Sequence, residues 1–235
     1  MSIGRAGVGK VRAGDQRTPL GIYFITEQLD TTRMHEKYGV TAFPLDYPNV
    51  LDRQQGRTGD GIWIHGVVAG GGMRPPLDTD GCIALPNDRL LALERAFVPN
   101  LTPVLIATEL AWREATEVQE ARDALEDAVD NWARSLETGD LYAWLELYDD
   151  AFEHWGMNKA EWVAFTLETM GRRMISAVRV SELLLLGEPT EDGLYLSRFQ
   201  LEVSEGEAHK VISVRRIYWR RSVSGALKIV AEDSG

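Results

Sequence analysis

Cysteine is nearly absent: Cys82 is the single one in 235 residues. One cysteine closes no internal disulfide, so the cysteine count leaves the redox compartment open. Histidine is scarce too, at His35, His65, His154 and His209. No apolar run approaches bilayer-spanning length, so no transmembrane segment is expected in this chain. The opening residues, "MSIGRAGVGKVRAGD", lack the apolar centre of a signal peptide. This fits a cytosolic chain and equally the mature or trimmed part of an exported one. Positive charge is also short, and the formal net charge is −11. Residues 1–110 carry 11 Lys+Arg against 12 Asp+Glu, and residues 111–235 carry 14 against 24. The acidic second half repels phosphate backbones and argues against sequence-independent nucleic-acid binding. It also provides no basic helix for a membrane surface. Internal repeats and low-complexity segments are missing.

The residues that are present have globular composition, with 44% hydrophobic and 26% charged. Residues 1–61 alternate turn signals ("RAGD", "RTPLG", "FPLDYPN", "RTGDG") with short apolar runs, and "GIYFIT" and "GIWIHGVV" read as strands between ordered loops. "NDRLLALERAF", residues 87–97, reads as a short helix capped by Asn87 or Asp88, with Leu90, Leu91, Leu93 and Phe97 packing. "TPVLIATEL", residues 102–110, reads as a buried strand. From about Thr116 the pattern changes. Val118, Ala121, Leu125, Val129, Trp132 and Leu136 recur at three- and four-residue steps, which predicts an amphipathic helix. "TGD" at 138–140 ends it. A second helix carries Leu141, Trp144, Leu145 and Tyr148, and a third follows Asn158 as N-cap. Beyond Gly171 the period becomes two, with Tyr195, Ser197, Phe199, Leu201 and Val203 on one strand face. Three helices followed by three or four antiparallel strands predict an α+β unit, with a boundary near 111–117.

Several motifs carry potential chemistry. "GRAGVGK", Gly4 to Lys10, fits part of a phosphate-binding loop, but Val11 follows the lysine where Ser or Thr is needed and no strand precedes Gly4. It is expected to be a glycine-rich turn, and nucleotide binding is not expected. "AGGG", residues 69–72, likewise reads as a flexible loop. A cysteine nucleophile needs thiolate character, a base within reach and donors for the oxyanion. His35 lies in a charged loop, and His154 and His209 lie in the acidic half. His65 ends the apolar strand "GIWIHG" before a glycine, where active sites often sit. A strand–loop–strand return across seventeen positions can bring His65 to Cys82. On spacing alone, a buried inert cysteine is the more usual outcome.

The words around the pair go further. "GIWIHG" followed by "RPPLDTDGCIAL" resembles the signature of the YkuD-type L,D-transpeptidase family: an H-G, a loop, then S/T-x-G-C and an apolar residue. "GDQRTPLGIYFI", "KYGVTAFPLDYPN" and "GRTGDGIWIHG" are similar to other segments of that family, over about residues 4–110. Two positions depart. Asp80 stands where many members carry histidine, and Ala84 where many carry arginine. This variant resembles a subgroup fused to a nuclear-transport-factor-2-like domain, and residues 116–235 look like that domain. The resemblance implies a mostly-β catalytic domain over 1–112 and an α+β cone-like domain over 113–235, of three helices on an antiparallel sheet. The family's catalytic fold usually has further strands before "SIGRAGVGK", so native N-terminal sequence, including a signal peptide, is expected to be missing.

The activity implied is cleavage of the amide between the L-centre of diaminopimelate and D-alanine in peptidoglycan stem peptides. His65 would take the proton of Cys82 to give a thiolate–imidazolium pair. The Gly66 carbonyl would fix the His65 tautomer, and the N–H groups of Cys82 and Gly81 would hold the oxyanion. Water as acceptor gives an L,D-carboxypeptidase and a stem amine gives an L,D-transpeptidase. Arg74 is a candidate anion clamp. Thr79, Asp80, Tyr47 and Trp63 are candidate substrate contacts, although Asp80 reads equally as a turn residue and Tyr38, Tyr47 and Trp63 as packing. The C-terminal unit would carry a pocket with Trp144, Tyr148, Trp155, Trp162 and Tyr218 as candidate lining. It would bind glycan or peptide, position the catalytic domain, or mediate a homodimer. No cofactor and no metal site is expected, and the implied location is the periplasm or cell envelope. The alternative is a non-catalytic peptidoglycan-binding or scaffold protein.

Overall fold

A computed structural model describes residues 1–70, 74–109, 112–170, 175–205 and 209–234. The "AGGG" loop therefore runs partly outside the described residues. The chain divides into two units, Met1–Leu110 and Ala111–Gly235.

The N-terminal unit is built from short strands: β1 (Ile3–Gly4), β2 (Gly21–Phe24), β3 (Ala42–Pro44), β4 (Trp63–His65), β5 (Leu77–Thr79), β6 (Ile83–Ala84) and β7 (Pro103–Ile106). They form small open sheets in the orders β1–β5, β2–β7 and β3–β4–β6. Tyr23, Ile25, Phe43, Leu45, Ile62, Ile64, Ile83 and Leu90 form one buried core beneath them. With so few ladder bonds, long loop-to-loop hydrogen bonds supply the rest of the backbone pairing. Two single turns of 3₁₀ helix, Thr31–Arg33 and Glu36–Tyr38, fall between β2 and β3. Among the elements not expected from the sequence is α1 (Val50–Gln54). Its N-cap Asn49 accepts from the Asp52 N–H while Asp52 accepts from the Asn49 N–H, a reciprocal capping box.

The helix expected over 87–97 is shorter, α2 (Asn87–Glu94), and Pro86 occupies its N-cap. Asn87 does not cap it; its amide is used elsewhere, as described below. Leu90 is fully buried, whereas Leu91 and Leu93 are exposed. Phe97 packs edge-on against Phe43. The phosphate-loop look-alike is a turn. Lys10 is buried, and its Nζ is held by Asp15 Oδ1 at 2.9 Å and the Arg12 carbonyl at 3.1 Å, so it has no ammonium to offer a nucleotide.

The C-terminal unit contains α3 (Ala115–Thr138), α4 (Leu141–Glu146), the hairpin β8 (Glu153–His154) and β9 (Met157–Asn158), and α5 (Lys159–Met170). These are followed by β10 (Ile175–Gly187), β11 (Leu194–Glu205), β12 (His209–Arg221) and β13 (Leu227–Asp233), an antiparallel sheet in sequence order. Gly139 ends α3 in the left-handed conformation at φ 71°, and Asp140 caps α4 by accepting from the Ala143 N–H. Asn158 and Glu161 form the expected start of α5 by exchanging side-chain-to-backbone bonds. Leu125, Val129, Trp132 and Leu136 of α3 pack with Phe199, Leu201 and Val203 of β11, so the helical and two-residue periods meet in one core. Val118, at the first turn of the predicted stripe, is exposed. The architecture is a mostly-β unit followed by an α+β unit of three helices on an antiparallel sheet.

Candidate active site

His65 and Cys82 are brought into one neighbourhood by strand pairing. β4 and β6 run parallel, with Ile64 opposite Ile83 and His65 opposite Ala84. Cys82 immediately precedes Ile83, so the seventeen-residue return ends alongside β4. The other edge of β4 is covered by β3, where Ala42 faces His65.

The imidazole is buried at 3% exposure. Its Nδ1 lies 2.6 Å from the Gly66 carbonyl. A carbonyl only accepts, so Nδ1 carries the proton and Nε2 presents its lone pair. Burial holds the His65 pKa below its ordinary value, and the charges of Arg74 and Lys37 push the same way, against the Gly66 bond. The Cys82 thiol donates to the Gly61 carbonyl at 3.3 Å. Burial pushes its pKa up. A hydrogen bond from the Trp63 backbone, Lys37 and Arg74 pull it down, and Asp80 pushes it up. Both directions favour a neutral thiol and a neutral imidazole at rest. The thiolate–imidazolium pair that the resemblance implies therefore forms against the desolvation of both groups.

The turn that presents Cys82 is tied from below. Thr79 Oγ1 donates to the Cys82 carbonyl at 2.7 Å and accepts from the Gly81 N–H at 3.1 Å. Two expectations change here. Thr79 is buried and committed to the turn, so it does not face substrate. The Gly81 N–H is engaged by Thr79, so it is not a ready oxyanion donor. The Cys82 N–H lies outside the β6 ladder, which begins at Ile83. Gly81 has φ 128°, and a Cβ there would lie 2.8 Å from the Arg17 carbonyl oxygen. Its own carbonyl accepts from Thr18 Oγ1 at 2.9 Å, and that hydroxyl oxygen in turn accepts from the Gly4 N–H at 2.9 Å. Thr18 thus pins the nucleophile turn to the N-terminal segment, a role not read from the sequence.

The strand end at His65 is fixed similarly. Asn87 Oδ1 accepts from the Val67 N–H and its Nδ2 donates to the Val67 carbonyl, both at 2.9 Å. A Cβ on Gly66 would lie 2.2 Å from Asn87 Oδ1, so glycine is required there by packing. Tyr38 covers the imidazole edge-on with ring centroids 5.4 Å apart, and lies 4.9 Å from the Trp63 ring.

The remaining candidates separate. Trp63 stays at the site, half-buried against Tyr38. Arg74 is held by Asp78 through Nε at 2.7 Å and through Nη2 to the backbone carbonyl at 2.9 Å. Asp80 is exposed and pairs with Arg5 at 3.3 Å. Tyr47 is a core residue: it is buried, packs edge-on against Tyr23, and donates to the Thr58 carbonyl at 3.1 Å. Burial, with the nearby Asp52 and Asp15 charges, pushes its phenol up to about 12. The expected Tyr47 substrate contact is therefore corrected to packing. Among the described residues, no group of three His, Cys, Asp or Glu is placed to hold a metal ion, and no helix is long and apolar enough to cross a membrane.

A separate cavity of about 150 Å³ lies within the C-terminal unit. Trp144, Trp155 and Trp162 line it as expected, together with His154, Arg215 and Glu232. Tyr148 and Tyr218 do not line it. Tyr148 is buried and donates to Glu232 Oε2 at 3.0 Å while accepting from Trp132 Nε1 at 3.2 Å.

Residues 1–106 match the model of the YkuD L,D-transpeptidase catalytic domain. Among solved structures, Bd1075 of Bdellovibrio bacteriovorus is similar at a TM-score of 0.76 and 26% identity, over 97% of this chain and 80% of that one. The helical cell shape determining protein Pgp2 of Campylobacter jejuni is similar at 0.80 and 24% identity, over 99% and 80%. An NTF2-like protein of Pseudomonas putida aligns at 0.42 and 15% identity, over 50% and 87%. No curated protein matches the sequence.

Proposed function

Because residues 1–106 match the model of the YkuD L,D-transpeptidase catalytic domain, we propose that the protein cleaves the amide between diaminopimelate and D-alanine in peptidoglycan tetrapeptide stems through a Cys82 thioester. The observation that supports this reading is the parallel pairing of β4 with β6, in which the strand that follows Cys82 runs alongside the strand that ends at His65, whose Nδ1 is locked onto the Gly66 carbonyl. The free Nε2 is then the one basic lone pair of that ring.

The neutral resting pair assigns His65 as general base during attack. As substrate enters, the thiol proton moves to Nε2 while sulfur bonds to the carbonyl carbon of the L-centre. The carbonyl oxygen takes the negative charge, and the Cys82 N–H is the donor that the turn leaves available to it. Collapse expels the D-alanine amine, which takes its proton from the imidazolium. Water, or the amine of a neighbouring stem, then attacks the thioester with His65 again as base. Acting on stem peptides places the protein in the cell envelope. The link to envelope geometry is supported by the likeness to a cell shape determining protein.

The test is mass analysis of tetrapeptide muropeptides after incubation. Wild type should give tripeptide and free D-alanine, with cross-linked dimers appearing if an amine is the acceptor. Cys82→Ala should give neither, and equal product from both proteins would overturn the reading. A second reading, stem-peptide binding without turnover, is favoured by the thiol being held by Gly61 with its pKa pushed up. Saturable binding by a wild type that releases no D-alanine would select it.

A further inference from the structure

The 3₁₀ turn Glu36–Tyr38 forms a wall of the Cys82–His65 site, and it carries a cation that the mechanism has not used. Its geometry is fixed from three directions. His35 Nδ1 accepts the Lys37 N–H at 3.2 Å and so caps the turn. Gly39, at φ 67°, closes it so tightly against the strand end that a Cβ there would lie 2.4 Å from the Val67 nitrogen and 2.6 Å from the Gly66 carbonyl carbon. Tyr38 lies edge-on to the His65 ring and against Trp63. Lys37 Nζ sits over the Tyr38 ring, 4.9 Å from its centroid. The ammonium is therefore held on the aromatic group that covers the catalytic imidazole.

Two cations act on both His65 and Cys82, Arg74 and Lys37. They differ in commitment. Arg74 is occupied by Asp78 through a charge-assisted bond and a second bond to its carbonyl. Lys37 has no carboxylate partner among the described residues, and its side chain is exposed. An ammonium without a carboxylate partner, held over the ring that covers the imidazole, is poised for an anion brought by the substrate.

Resting on the reading that Cys82 attacks the carbonyl preceding a terminal D-alanine, we propose that Lys37 receives the terminal α-carboxylate of the residue that is released. Covalent geometry selects this carboxylate over the others of the stem. It is joined to the scissile carbon through the amide nitrogen and one α-carbon only, so the two carbons lie roughly 3–4 Å apart. A cation held on the ring that covers the catalytic imidazole is then on the side of the site from which this carboxylate is met, whereas the side-chain carboxylate of the diamino acid and that of the D-glutamyl residue lie many bonds away. Lys37 thereby becomes a specificity residue: it favours stems that end at the residue to be removed.

The experiment compares a synthetic tetrapeptide stem, as its free C-terminal acid and as its C-terminal carboxamide, on wild type, Lys37→Met, Lys37→Arg and Arg74→Met. Wild type should lose about tenfold to hundredfold in kcat/KM on the carboxamide, the size of one charge-assisted hydrogen bond. Lys37→Met should lose the same factor on the acid and process acid and carboxamide alike, while Lys37→Arg should keep most of the preference. Because each preference is a ratio within one protein sample, partial misfolding cancels. An unchanged preference in Lys37→Met, no preference in wild type, or its loss in Arg74→Met instead would each overturn the assignment. If wild type turns over neither peptide, the hydrolase reading fails by itself. The same acid-to-carboxamide ratio, read as Kd by isothermal titration, then decides the Lys37 assignment: a preference lost in Lys37→Met sustains it, and none in wild type removes it.

Discussion

Replacing Thr18 by valine keeps side-chain shape and removes one oxygen, and that oxygen joins three parts of the N-terminal unit. Thr18 is fully buried. Its Oγ1 accepts from the Gly4 N–H and donates to the Gly81 carbonyl, each at 2.9 Å. Valine offers neither partner, so a buried N–H and a buried C=O are left unmet, at about 1–3 kcal/mol each. The added methyl recovers at most about 1 kcal/mol of apolar burial. The net loss should be about 1–6 kcal/mol, or a fall in Tm of roughly 4–24 °C for a unit of this size. The peptide that carries the Cys82 N–H follows the freed Gly81 carbonyl, so kcat should also fall by about tenfold or more as the oxyanion donor loses its aim. Urea titration with an unchanged slope, and faster hydrogen exchange at the Gly4 amide, would measure the first effect. D-Alanine release would measure the second. Thr18→Ser keeps both bonds and should stay within about 1 kcal/mol of wild type. A loss below about 0.5 kcal/mol in Thr18→Val would refute the claim that this hydroxyl supports the nucleophile turn.

Other outcomes follow from the same geometry. If the pair rests neutral, kcat/KM should rise with pH through one group titrating below 6.5, the lowered His65, and stay level to about pH 8. A fall between about pH 7 and 8.5 would indicate an imidazolium lost from an ion pair and would sink the general-base assignment. The same lowering means that the unfolded chain binds the proton more readily, so the stability from this group is present above 6.5 and is lost as pH falls below it; acid titration of the urea midpoint checks the sign. Asn87→Ala removes both bonds to the Val67 backbone, and should cost about 1–3 kcal/mol and lower D-alanine release; a variant with wild-type activity would show that the Gly66 carbonyl is held without it. Asp80→Asn removes a charge that opposes the thiolate, so alkylation of Cys82 at fixed neutral pH should become faster, and slower alkylation would contradict the charge effect. Its pairing with Arg5 is exposed on both sides, so the unfolding midpoint should stay unchanged.

How far each feature could be read depends on whether its cause is local in sequence. The stripe from Leu125 to Leu136 was legible because a helix writes its buried face every three or four residues, and Phe199, Leu201 and Val203 because a strand writes it every two. His65 and Cys82 were legible because a strand end with glycine and a glycine–cysteine turn are local words. The capping box that starts α1 is equally local, in "NVLD", but the prolines and glycines around it read as loop and mask it. Tyr47 was different. Its neighbours in sequence are turn formers, so nothing local indicates that the ring points into the core of Tyr23 and Ile62. Thr79 and Asn87 failed as site and cap assignments for one reason: a polar side chain advertises its hydrogen-bonding capacity, and only the fold decides who takes it. Pro86 took the cap, and Val67, twenty residues away, took the amide.

The same distinction separates the identity of the reacting groups from the charge state in which they rest. Which atoms can react is fixed by residue type and by the words around them. Which protonation state they rest in is fixed by burial and by the sum of fields from groups far apart in sequence. Lys37 lies 45 positions before Cys82 and acts on it, together with Arg74, Asp80 and the Trp63 backbone. Burial is the largest of these influences on both His65 and Cys82, and for a thiol and an imidazole it disfavours charge in the same sense. A neutral pair follows, and it places the cost of charge separation at the moment of attack. The donors that meet that charge must then already be in place, which is consistent with two buried polar side chains, Thr18 and Thr79, being used to hold three backbone groups of Gly81 and Cys82 around one sulfur.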